Sequence, residues 1–442
     1  MDIKNYTNSE FVVKNLGKRR VQSPLQLSKV SGDGIFNYVK DGESVLYDAS
    51  INCKTPENGE EHISFEKAGP KEHIYFDPSK TKVAIVTCGG LCPGLNNVIR
   101  GLVMQLHHRY NVKRVIGFKY GYSGFIASHG HEYIELTPSV VETIHTNGGS
   151  ILGSSRGPQD VEEIVDVLEI QNINILFTIG GDGTLRGAYK IHEEIEKRNL
   201  KISVVGIPKT IDNDINFLDK SFGFETSFTI ADGIIRNAHN EAKGAYNGIA
   251  IVKLMGRDSG FIAANAALST QEANFVLIPE MKFNLHGEEG FLEALKKRLE
   301  ISHHAVIIVG EGAGQFLFEG MQQRKDPSGN LKYEDIGIFL KKTISKEFKK
   351  QEFPHTIKYI DPSYIIRSAP ANANDSKFCN LLAQNAVHAA MAGKTGVVVG
   401  HWNQNFTLMP IPVTVKERKT INLEGELWWN VLETTGQRNF KF

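Results

Sequence analysis

The sequence is poor in cysteine: Cys53, Cys88, Cys92 and Cys379 are the only four in 442 residues. So few cysteines in a chain of this length exclude a fold held together by disulfides and favour reduced thiols. Cys88 and Cys92 have a spacing that is found in zinc sites, but no second pair of cysteines or histidines lies nearby to complete four ligands. We therefore expect no metal ion held by cysteine.

The sequence also lacks a long apolar run and an excess of charge of either sign. No segment reaches the roughly 20 apolar residues of a transmembrane helix, and the first residues, MDIKNYTNSEFVVKNLGKRR, carry charges where a secretory signal is apolar. Lys+Arg and Asp+Glu both number 50, so no surplus of positive charge predicts a nucleic-acid or membrane partner. These absences predict a cytoplasmic protein that binds any anion through local groups.

Residues 1–81 differ in pattern from the rest of the chain. They are polar and rich in turn residues, without a repeated alternation of strand and helix, so we interpret them as an N-terminal extension. From Lys82 onward, short apolar runs alternate with amphipathic stretches. This alternation predicts an α/β fold with parallel sheets covered on both faces. The predicted helices are 95–107, 161–171 and 183–197, and the predicted strands include 173–179 and runs that end at Ile207, Leu254 and Gly310.

Two glycine-rich motifs follow predicted strands. TCGGLCPGLNN runs from Thr87 to Asn97, and GGDGT runs from Gly180 to Thr184. Glycines let a backbone approach a phosphate closely, and the helix N-terminus after each loop offers free N–H groups. Asp182 adds an oxygen ligand of the kind that suits Mg²⁺ bound to phosphate. Taken singly, the first motif is explained equally well as a tight turn. For the second motif an Asp-Gly turn that caps a helix is the alternative, but a phosphate site is favoured.

Further motifs place charged side chains at strand ends. PKTIDND, Pro208–Asp214, holds two carboxylates two residues apart, which suits a base beside a metal-bound phosphate, although an Asx turn is the favoured explanation of a D-N-D that stands alone. KLMGRDSG contains Arg257, GEGAGQ contains Glu311, and KYIDPSYIIR contains Lys358 and Arg367. Arg257 is an always-charged donor, although a surface ion pair explains it too. Glu311 suits hydrogen bonds from sugar hydroxyls or the cap of a helix, and the cations of the last motif suit a clamp for a second phosphate. Because parallel sheets bind ligands beyond the carboxyl ends of their strands, the six motifs together predict a site for phosphorylated ligands.

Taken together, GGLCPGLN, GSSRGPQD, GGDGT, PKTIDND, MGRDSG and GEGAG resemble the phosphofructokinase family over about residues 82–412. The long N-terminal segment and PSYIIRS resemble its protist-type subgroup, which includes ATP-dependent enzymes. The resemblance implies two doubly wound parallel-sheet domains of phosphofructokinase type plus the N-terminal extension. The implied boundaries are 82–224 for a donor domain with a chain return at about 371–410, 225–370 for a sugar-phosphate domain, and 411–442 for a C-terminal segment.

The resemblance also implies an activity and a set of site residues. The expected enzyme is a magnesium-dependent, allosterically regulated kinase of glycolysis, which transfers the γ-phosphoryl group of ATP to the 1-hydroxyl of fructose 6-phosphate. Asp212 resembles the general base, with Thr210 beside it, and Arg257 resembles the arginine that neutralises charge on the transferring group. The residues that resemble the donor site are Gly89, Arg156, Gly181, Asp182, Gly183, Thr184, Gly187 and Lys209, with Asp182 as the metal ligand. Those that resemble the sugar-phosphate site are Thr210, Asp212, Asp214, Met255, Gly256, Arg257, Glu311, Lys358, Tyr364 and Arg367.

The phosphoryl donor is indicated by two positions that disagree. In the family, glycine at the position of Gly183 goes with ATP, because an aspartate there would crowd and repel the α-phosphate, whereas lysine at the position of Lys209 is usual in pyrophosphate users. We expect ATP, since either donor tolerates a lysine. A pyrophosphate-dependent phosphotransferase and a sugar-phosphate-binding subunit without activity are the alternatives.

Three positions depart from many bacterial members of the family. Lys358 and Tyr364 stand in a 6-phosphate site where those members have arginines and a histidine. Gly248 stands where they have an arginine that reaches across the subunit interface. The family nevertheless implies a homo-oligomer, either a dimer or a tetramer.

Overall fold

The computed structural model describes Ile3 and residues 6–50, 62–318, 324–325 and 331–438. These residues fall into two compact units. Unit 1 comprises Met1–Thr210, Ile215–Gly223 and Ala369–Arg418, and unit 2 comprises Ile211–Asp214, Phe224–Ser368 and Lys419–Phe442. The segment predicted as an N-terminal extension therefore groups with unit 1. The chain passes from unit 1 to unit 2 and back within the PKTIDND loop.

The strands are β1 (Lys14–Asn15), β2 (Val21–Gln22), β3 (Ser44–Leu46), β4 (Ser64–Lys67), β5 (His73–Ile74), β6 (Lys82–Thr87), β7 (Arg114–Phe118), β8 (Tyr133–Glu135), β9 (Ile175–Gly180), β10 (Ser203–Pro208), β11 (Gly248–Leu254), β12 (Phe275–Leu277), β13 (His304–Gly310), β14 (Arg324–Lys325), β15 (Leu331–Lys332), β16 (Thr356–Ile360), β17 (Lys394–Thr395), β18 (Val397–Trp402) and β19 (Asn405–Pro410). The helices are α1 (Leu95–Met104), α2 (Val161–Ile170), α3 (Asp182–Lys197), α4 (Phe224–Lys243), α5 (Phe261–Thr270), α6 (Phe291–Ser302), α7 (Ile336–Lys350), α8 (Ser363–Arg367), α9 (Ala373–Met391), α10 (Ile411–Val415) and α11 (Glu426–Thr435).

Unit 1 is built on a nine-stranded sheet with the order β3-β4-β19-β18-β10-β9-β6-β7-β8. Its five central strands, from β18 to β7, are parallel to one another. At the edges each strand pairs antiparallel with its neighbour: β8 with β7 on one side, and β19 with β18, β4 with β19 and β3 with β4 on the other. β9 and β10 are buried along their whole length, which explains their continuous apolar sequences. The predicted parallel sheet is confirmed at the centre, and the antiparallel edges are an addition to it.

Unit 2 is built on a four-stranded parallel sheet with the order β12-β13-β11-β16. β11 and β13 are buried at the centre, while β16 is an edge strand with a mixed pattern of exposure. Helices α4, α5 and α7 pack on this sheet, and α11 packs on α5. The carboxyl ends of β11 and β13 lead directly into the MGRDSG and GEGAG motifs.

The predicted helices match the observed ones except at their ends. The helix predicted over 95–107 ends as an α-helix at Met104 and continues as a π-helical turn, Gln105–Arg109. A π turn inserts one extra residue into the helical repeat, and an apolar pattern of period 3.6 does not reveal it. Among the helices that the structure describes, none combines the length and the apolar composition needed to cross a bilayer.

Candidate active site

The two glycine-rich loops are hydrogen-bonded neighbours in unit 1. The N–H of Cys88 donates to the carbonyl of Ile179 at 2.9 Å, and the N–H of Gly89 donates to the carbonyl of Ser155 at 2.9 Å. The hydroxyl of Ser154 donates to the carbonyl of Gly89 at 2.5 Å. The ends of β6 and β9 and the GSSRGPQD segment therefore meet at one edge of the sheet, because β6 and β9 are adjacent parallel strands.

Two cations lie against the first glycine loop. The ammonium group of Lys209, a residue only 7% exposed, donates to the carbonyl of Gly90 at 2.8 Å. A Cβ atom added at Gly90 would lie 3.2 Å from a guanidinium nitrogen of Arg156, and one added at Gly89 would lie 3.2 Å from the Lys209 nitrogen. Gly89 also has φ of +87°, a conformation that favours glycine. The structure thus brings Gly89, Arg156 and Lys209 together, as the predicted donor site requires.

The GGDGT motif forms the start of α3, with Gly181 as the N-cap and Asp182 in the first turn. A carboxylate here complements the positive end of the helix dipole. Its Oδ1 atom accepts a hydrogen bond from Nε of Arg186 at 3.1 Å. Gly183 is exposed, and a Cβ atom added there would meet no other atom within 4 Å. The missing side chain of Gly183 therefore leaves open space at the N-terminus of α3.

Gly187 has a packing role in the same helix. A Cβ atom added at Gly187 would lie 2.8 Å from the ring of Tyr122, and the Tyr122 hydroxyl donates to the carbonyl of Thr184 at 2.8 Å. Both Tyr122 and Thr184 are buried. Close packing against Tyr122 is therefore sufficient to require glycine at this position, and a contact of Gly187 with the donor stays a prediction.

Asp182 suits a magnesium ion that is held mainly by a nucleotide. No group of three or more His, Cys, Asp or Glu side chains in the described part of the chain is arranged to hold a metal ion. Mg²⁺ in phosphoryl-transfer sites uses one or two carboxylates and takes its other ligands from substrate phosphates and water. A carboxylate whose side chain is 26% exposed at a helix N-terminus fits that requirement.

The described cysteines are buried free thiols at Cys88, Cys92 and Cys379, and Cys53 lies outside the described residues. Burial raises the pKa of the Cys88 thiol to about 12. Burial also raises the pKa of Cys379. Because the thiolate is the reactive form, burial lowers the reactivity of Cys88, which adjoins the first glycine loop.

The PKTIDND loop is divided between the units. Lys209 and Thr210 belong to unit 1, where the hydroxyl of Ser221 donates to the carbonyl of Thr210. Asp212 and Asp214 belong to unit 2. The predicted base is therefore carried by a four-residue excursion of the chain, Ile211–Asp214, between two segments of unit 1.

In unit 2, the Asp212 segment contacts the turn that carries Arg257. The hydroxyl of Ser259 donates to the backbone carbonyl of Asp212 at 3.3 Å. The N–H of Ser259 donates to the carbonyl of Gly256 at 2.7 Å and closes the turn. Gly256 has φ of +141° and Arg257 has φ of +43°. A non-glycine residue in this region is strained, and such strain concentrates at functional sites, so the geometry agrees with a specific role for Arg257.

Glu311 lies among cations next to this turn. The N–H of Glu311 donates to the carbonyl of Leu254 at 2.8 Å, which places the ends of β13 and β11 side by side. Burial raises the pKa of the Glu311 carboxyl, and the positive charges of Lys253, Arg257 and Arg367 oppose this rise. The structure thus brings together three of the predicted sugar-phosphate residues: Arg257, Glu311 and Arg367.

The sequence did not predict a network of charged side chains around Lys253 in β11. The ammonium of Lys253 lies 2.7 Å from Asp335 and 2.9 Å from Asp361, and the Tyr359 hydroxyl donates to Asp335 at 2.9 Å. Although burial opposes the charge of Lys253, hydrogen bonds to the two carboxylates raise its pKa above the usual value. Lys253 and Asp361 each lie in a motif that the sequence singles out, but their pairing joins separate strands.

The residues predicted to grip the 6-phosphate are not all in contact. In α8, the guanidinium carbon of Arg367 lies 4.5 Å from the centre of the Tyr364 ring, and Tyr364 is 76% exposed. Lys358, in β16, instead has its ammonium 3.9 Å from the carboxylate of Glu241. Among the contacts of the described residues, none joins Lys358 to Tyr364 or Arg367. Lys358 therefore faces the end of α4.

Gly248 stands where many bacterial relatives have an arginine, and the neighbouring backbone leaves no room for a side chain there. A Cβ atom added there would lie 2.0 Å from the carbonyl oxygen of Ala242. Real Cβ atoms essentially never approach another heavy atom closer than 3.0 Å. The chain between α4 and β11 therefore excludes the arginine.

Comparison with known proteins shows that the chain belongs to the phosphofructokinase family, whose model matches residues 82–390. It is 49% identical over 441 residues to a protein named ATP-dependent 6-phosphofructokinase from Borreliella burgdorferi, covering 98% of both chains. Proteins of the same name from two protists are also similar. The identity is 50% with Entamoeba histolytica, over 82% of this chain and 83% of the relative, and 48% with Trypanosoma cruzi, over 84% and 76%. The family resemblance is confirmed.

Solved structures confirm the fold class. A structure named pyrophosphate-dependent phosphofructokinase from Marinobacter aquaeolei matches with a TM-score of 0.67 at 20% identity, covering 80% of this chain and 91% of the other. The phosphofructokinase of Saccharomyces cerevisiae matches with a TM-score of 0.61 at 20% identity, covering 80% and 47%. At such low identities the likeness shows the α/β fold alone.

Proposed function

We infer that this chain is an ATP-dependent 6-phosphofructokinase, a phosphotransferase that converts fructose 6-phosphate to fructose 1,6-bisphosphate in glycolysis. The observation that carries this conclusion is the similarity to proteins of that name over nearly the whole chain, at 49% identity over 98% and 46% identity over 96% of its length. The two phosphate-type loops, the divided PKTIDND loop and the Arg257 turn supply the groups that such a reaction needs.

The local structure at Gly183 supports ATP as the donor. The open space beyond Gly183 is what a nucleotide's α-phosphate would need, and an aspartate there would place a carboxylate in that space. Lys209, the residue typical of pyrophosphate users, is bonded through its ammonium to the Gly90 carbonyl. An ammonium at this place suits the phosphates of either donor, so Lys209 does not argue against ATP.

The donor is proposed to bind in unit 1. The first glycine loop with Gly89, the cations Arg156 and Lys209, and the start of α3 lie at one sheet edge, where backbone N–H groups and positive charge favour phosphates. Asp182 would hold the magnesium ion, which when bound neutralises charge on the donor phosphates. The remaining donor contacts are proposed at Gly181, Gly183, Thr184 and Gly187.

Phosphoryl transfer itself is proposed to use Asp212 and Arg257. A loose transition state spreads negative charge over the transferring group. Catalysis therefore requires an in-line acceptor and fixed positive charge more than it requires covalent catalysis. Asp212 takes the proton of the 1-hydroxyl as the new O–P bond forms, with Thr210 and Asp214 flanking it in the loop. Arg257 donates hydrogen bonds to the transferring group. Its positive φ sets the direction in which its side chain leaves the backbone.

The sugar phosphate is proposed to bind through unit 2. Met255, Gly256 and Glu311 contact the sugar, and Glu311 accepts hydrogen bonds from hydroxyl groups. Arg367 and Tyr364 bind the 6-phosphate, to which Lys358 is assigned from the family resemblance. The cytoplasmic location, the assembly into dimers or tetramers and allosteric regulation are further proposals from the family.

A side-by-side donor assay tests the proposed function. Purified full-length protein is supplied with fructose 6-phosphate, Mg²⁺ and either ATP or pyrophosphate, and fructose 1,6-bisphosphate is measured. We expect turnover with ATP in the kinase range of about 1–100 s⁻¹, and at most a trace with pyrophosphate. Product formed from pyrophosphate alone would establish the phosphotransferase, and no product from either donor would establish a binding subunit. Chelation of Mg²⁺ is expected to abolish turnover.

A further inference from the structure

Phe217 is surrounded by aromatic rings from the N-terminal segment. It follows Asp212 by a few residues in the same loop and is only 2% exposed. Its ring centre lies 5.2 Å from that of Tyr6, 5.1 Å from Phe11, 5.6 Å from Phe65 and 6.2 Å from Tyr47. All four rings belong to residues 1–81, outside the region 82–390 that the family model matches. We call these four residues with Phe217 the aromatic anchor.

The backbone at Phe217 explains why an anchor is needed. Phe217 has φ of +59°, in the left-handed region that a bulky side chain avoids. Asn213, next to Asp212, also has a positive φ, at +57°. A strained residue keeps its conformation only where its surroundings hold it there. For Phe217 those surroundings include rings on several sides, two of them, Tyr6 and Phe11, in edge-to-face contact at 88°.

Ile215 and Asn216, which lie between Asp214 and Phe217, are also held by contacts with the segment 416–418. Ile215 forms an antiparallel bridge with Arg418. The side-chain amide of Asn216 donates to the carbonyl of Glu417 at 2.7 Å. Both Ile215 and Asn216 are buried. The chain is therefore fixed where it re-enters unit 1 after Asp212.

The N-terminal segment also holds residue 416. The ammonium of Lys416 lies 4.5 Å from the centre of the Tyr6 ring and 3.7 Å from the carboxylate of Glu10. Glu10 in turn accepts a hydrogen bond from the N–H of Thr7 at 2.9 Å, which closes the 3₁₀ turn that ends at Phe11. One short stretch of chain, residues 6–11, thus contacts both Phe217 and Lys416.

We propose that the N-terminal segment is a positioning element for the catalytic loop: through the aromatic anchor it fixes the point from which Asp212 is presented to the acceptor hydroxyl. The proposal rests on the proposed role of Asp212. A general base acts only within hydrogen-bond reach of its proton, and a displacement of about 1 Å costs on the order of a hundredfold in rate. Phe11 and Phe65 are positioning residues, because they act on Asp212 through Phe217.

Phe11→Leu tests the proposal, with Phe76→Leu as the matched control. Leucine keeps most of the buried apolar volume at Phe11 but removes the ring that meets Phe217 edge to face. Phe76 is also a buried phenylalanine of residues 1–81, and the ring it contacts is that of Tyr75. We expect kcat to fall about ten- to a hundredfold in Phe11→Leu, with the KM for ATP unchanged, and to stay at the wild-type value in Phe76→Leu. Thermal unfolding reports the folded fraction of each variant.

Two further readouts separate positioning from mere stability. The acid limb of the pH profile of kcat reports the base, and we expect it to shift in Phe11→Leu and not in Phe76→Leu. In the double variant Phe11→Leu/Phe217→Leu, kcat should equal that of the slower single variant, because both changes release the same contact. Equal kcat per folded molecule in wild type and Phe11→Leu would overturn the proposal, as would an equal loss in Phe76→Leu.

Lys416→Gln provides a second route if Phe11→Leu does not fold. This side chain is half-exposed, so its replacement removes the contacts with Tyr6 and Glu10 without opening a cavity. We expect kcat to fall by about two- to threefold with a shifted acid limb, and an unchanged kcat and acid limb would count against the proposal. If the wild-type protein has no phosphofructokinase activity, the proposed function and this inference are both refuted. If the wild type is active and the variants have the same kcat and pH profile as the wild type, the inference alone is refuted.

Discussion

Asp212 is the single residue on which the proposed chemistry depends most. Replacing it by serine removes the base while the loop backbone keeps its hydrogen bond from Ser259, which goes to the Asp212 carbonyl rather than to its side chain. We expect Asp212→Ser to lower kcat by about 10²- to 10⁴-fold, with the KM for ATP and the melting temperature little changed. Steady-state kinetics and thermal unfolding measure both effects.

Asp219→Ser is the control for Asp212→Ser. Asp219 is an exposed carboxylate in the same region of sequence, 3.4 Å from His401, and has no proposed part in the reaction. Its kcat should stay within about twofold of the wild-type value, since no contact of Asp219 with either substrate is proposed. Near-normal turnover by Asp212→Ser would contradict the assignment of the base.

The proposed contact of Glu311 with the sugar predicts that binding of fructose 6-phosphate depends on pH. Burial raises the pKa of its carboxyl above the usual value, so it protonates at a higher pH than an exposed glutamate. A protonated Glu311 accepts hydrogen bonds from sugar hydroxyls less well. The KM for fructose 6-phosphate is therefore expected to rise as the pH falls through the raised pKa, and Glu311→Gln should flatten this rise. A wild-type KM that does not change over this range would contradict the role of Glu311.

The same raised pKa has the opposite consequence for stability. Folding disfavours the charged form of Glu311, so its contribution to the free energy of unfolding is fully present below the pKa of the unfolded chain and is lost as the pH rises through the folded pKa. Urea unfolding of the wild type and Glu311→Gln on both sides of that range should show a smaller loss in the variant.

Sequence patterns singled out residues that the structure places near one another, but they did not reveal all the contacts that these residues make. Arg257, Glu311 and Arg367 lie in recognisable motifs, and the structure brings them together. The ion pairs of Lys253 with Asp335 and Asp361 were missed because they join segments far apart in the chain. No local pattern encodes such a pairing, since it depends on the order of the strands.

At the scale of helices and strands, prediction worked where burial is uniform. β9, β10 and β11 are apolar runs of six or seven residues with almost no exposed position, and each leads into a predicted motif. The edges of the nine-stranded sheet could not be predicted, because β4 pairs with β19 from the other end of the described chain. Antiparallel pairing at an edge leaves only a weak local pattern in strands of three or four residues.

The start of α3 is expected to select the donor. Gly183→Asp would place a carboxylate in open space in the first turn, where acidic residues favour the helix, so we expect the melting temperature to be unchanged. The added charge and volume should exclude the α-phosphate of ATP. We expect kcat/KM for ATP to fall by at least about a hundredfold, while pyrophosphate is not excluded in the same way. Kinetics with each donor measure the change.

Gly233→Asp is the control for Gly183→Asp. Gly233 is exposed in α4, and a Cβ atom added there also meets nothing within 4 Å. It lies in unit 2, away from the predicted donor motifs in sequence, so kcat/KM for ATP should stay at the wild-type value. Undiminished use of ATP by Gly183→Asp would refute steric and electrostatic exclusion as the basis of donor choice.

At the scale of the whole molecule, the N-terminal segment has a different meaning from the one its sequence indicates. Residues 1–81 read as an addition because they lack the strand-helix alternation of the rest. In the structure, β3 and β4 extend the sheet of unit 1, and Tyr6, Phe11 and Phe65 join its hydrophobic core. The aromatic residues that join the core are scattered singly among polar residues in the sequence. Their common contact with Phe217 therefore becomes visible only in the folded structure.

The proposed donor residues and the proposed sugar-phosphate residues belong to different units, which predicts separate responses to the two substrates. Gly89, Arg156, Asp182 and Lys209 belong to unit 1, and Met255, Arg257, Glu311 and Arg367 belong to unit 2. A ligand at 100 times its Kd stabilises the state that binds it by about 2.7 kcal/mol, which slows hydrogen exchange in the structure around it.

A non-hydrolysable ATP analogue with Mg²⁺ should therefore slow exchange at the ends of β6 and β9 and at the start of α3. Fructose 6-phosphate should slow it at the ends of β11 and β13, with the Ile211–Asp214 segment responding because the base meets the acceptor hydroxyl there. Because β18 in unit 1 and β12 in unit 2 are largely buried strands that carry none of the proposed site residues, they serve as internal controls in the same exchange experiment. Protection of unit 2 alone by the ATP analogue would contradict the assignment of the donor loops to unit 1, even if the assay established the kinase activity.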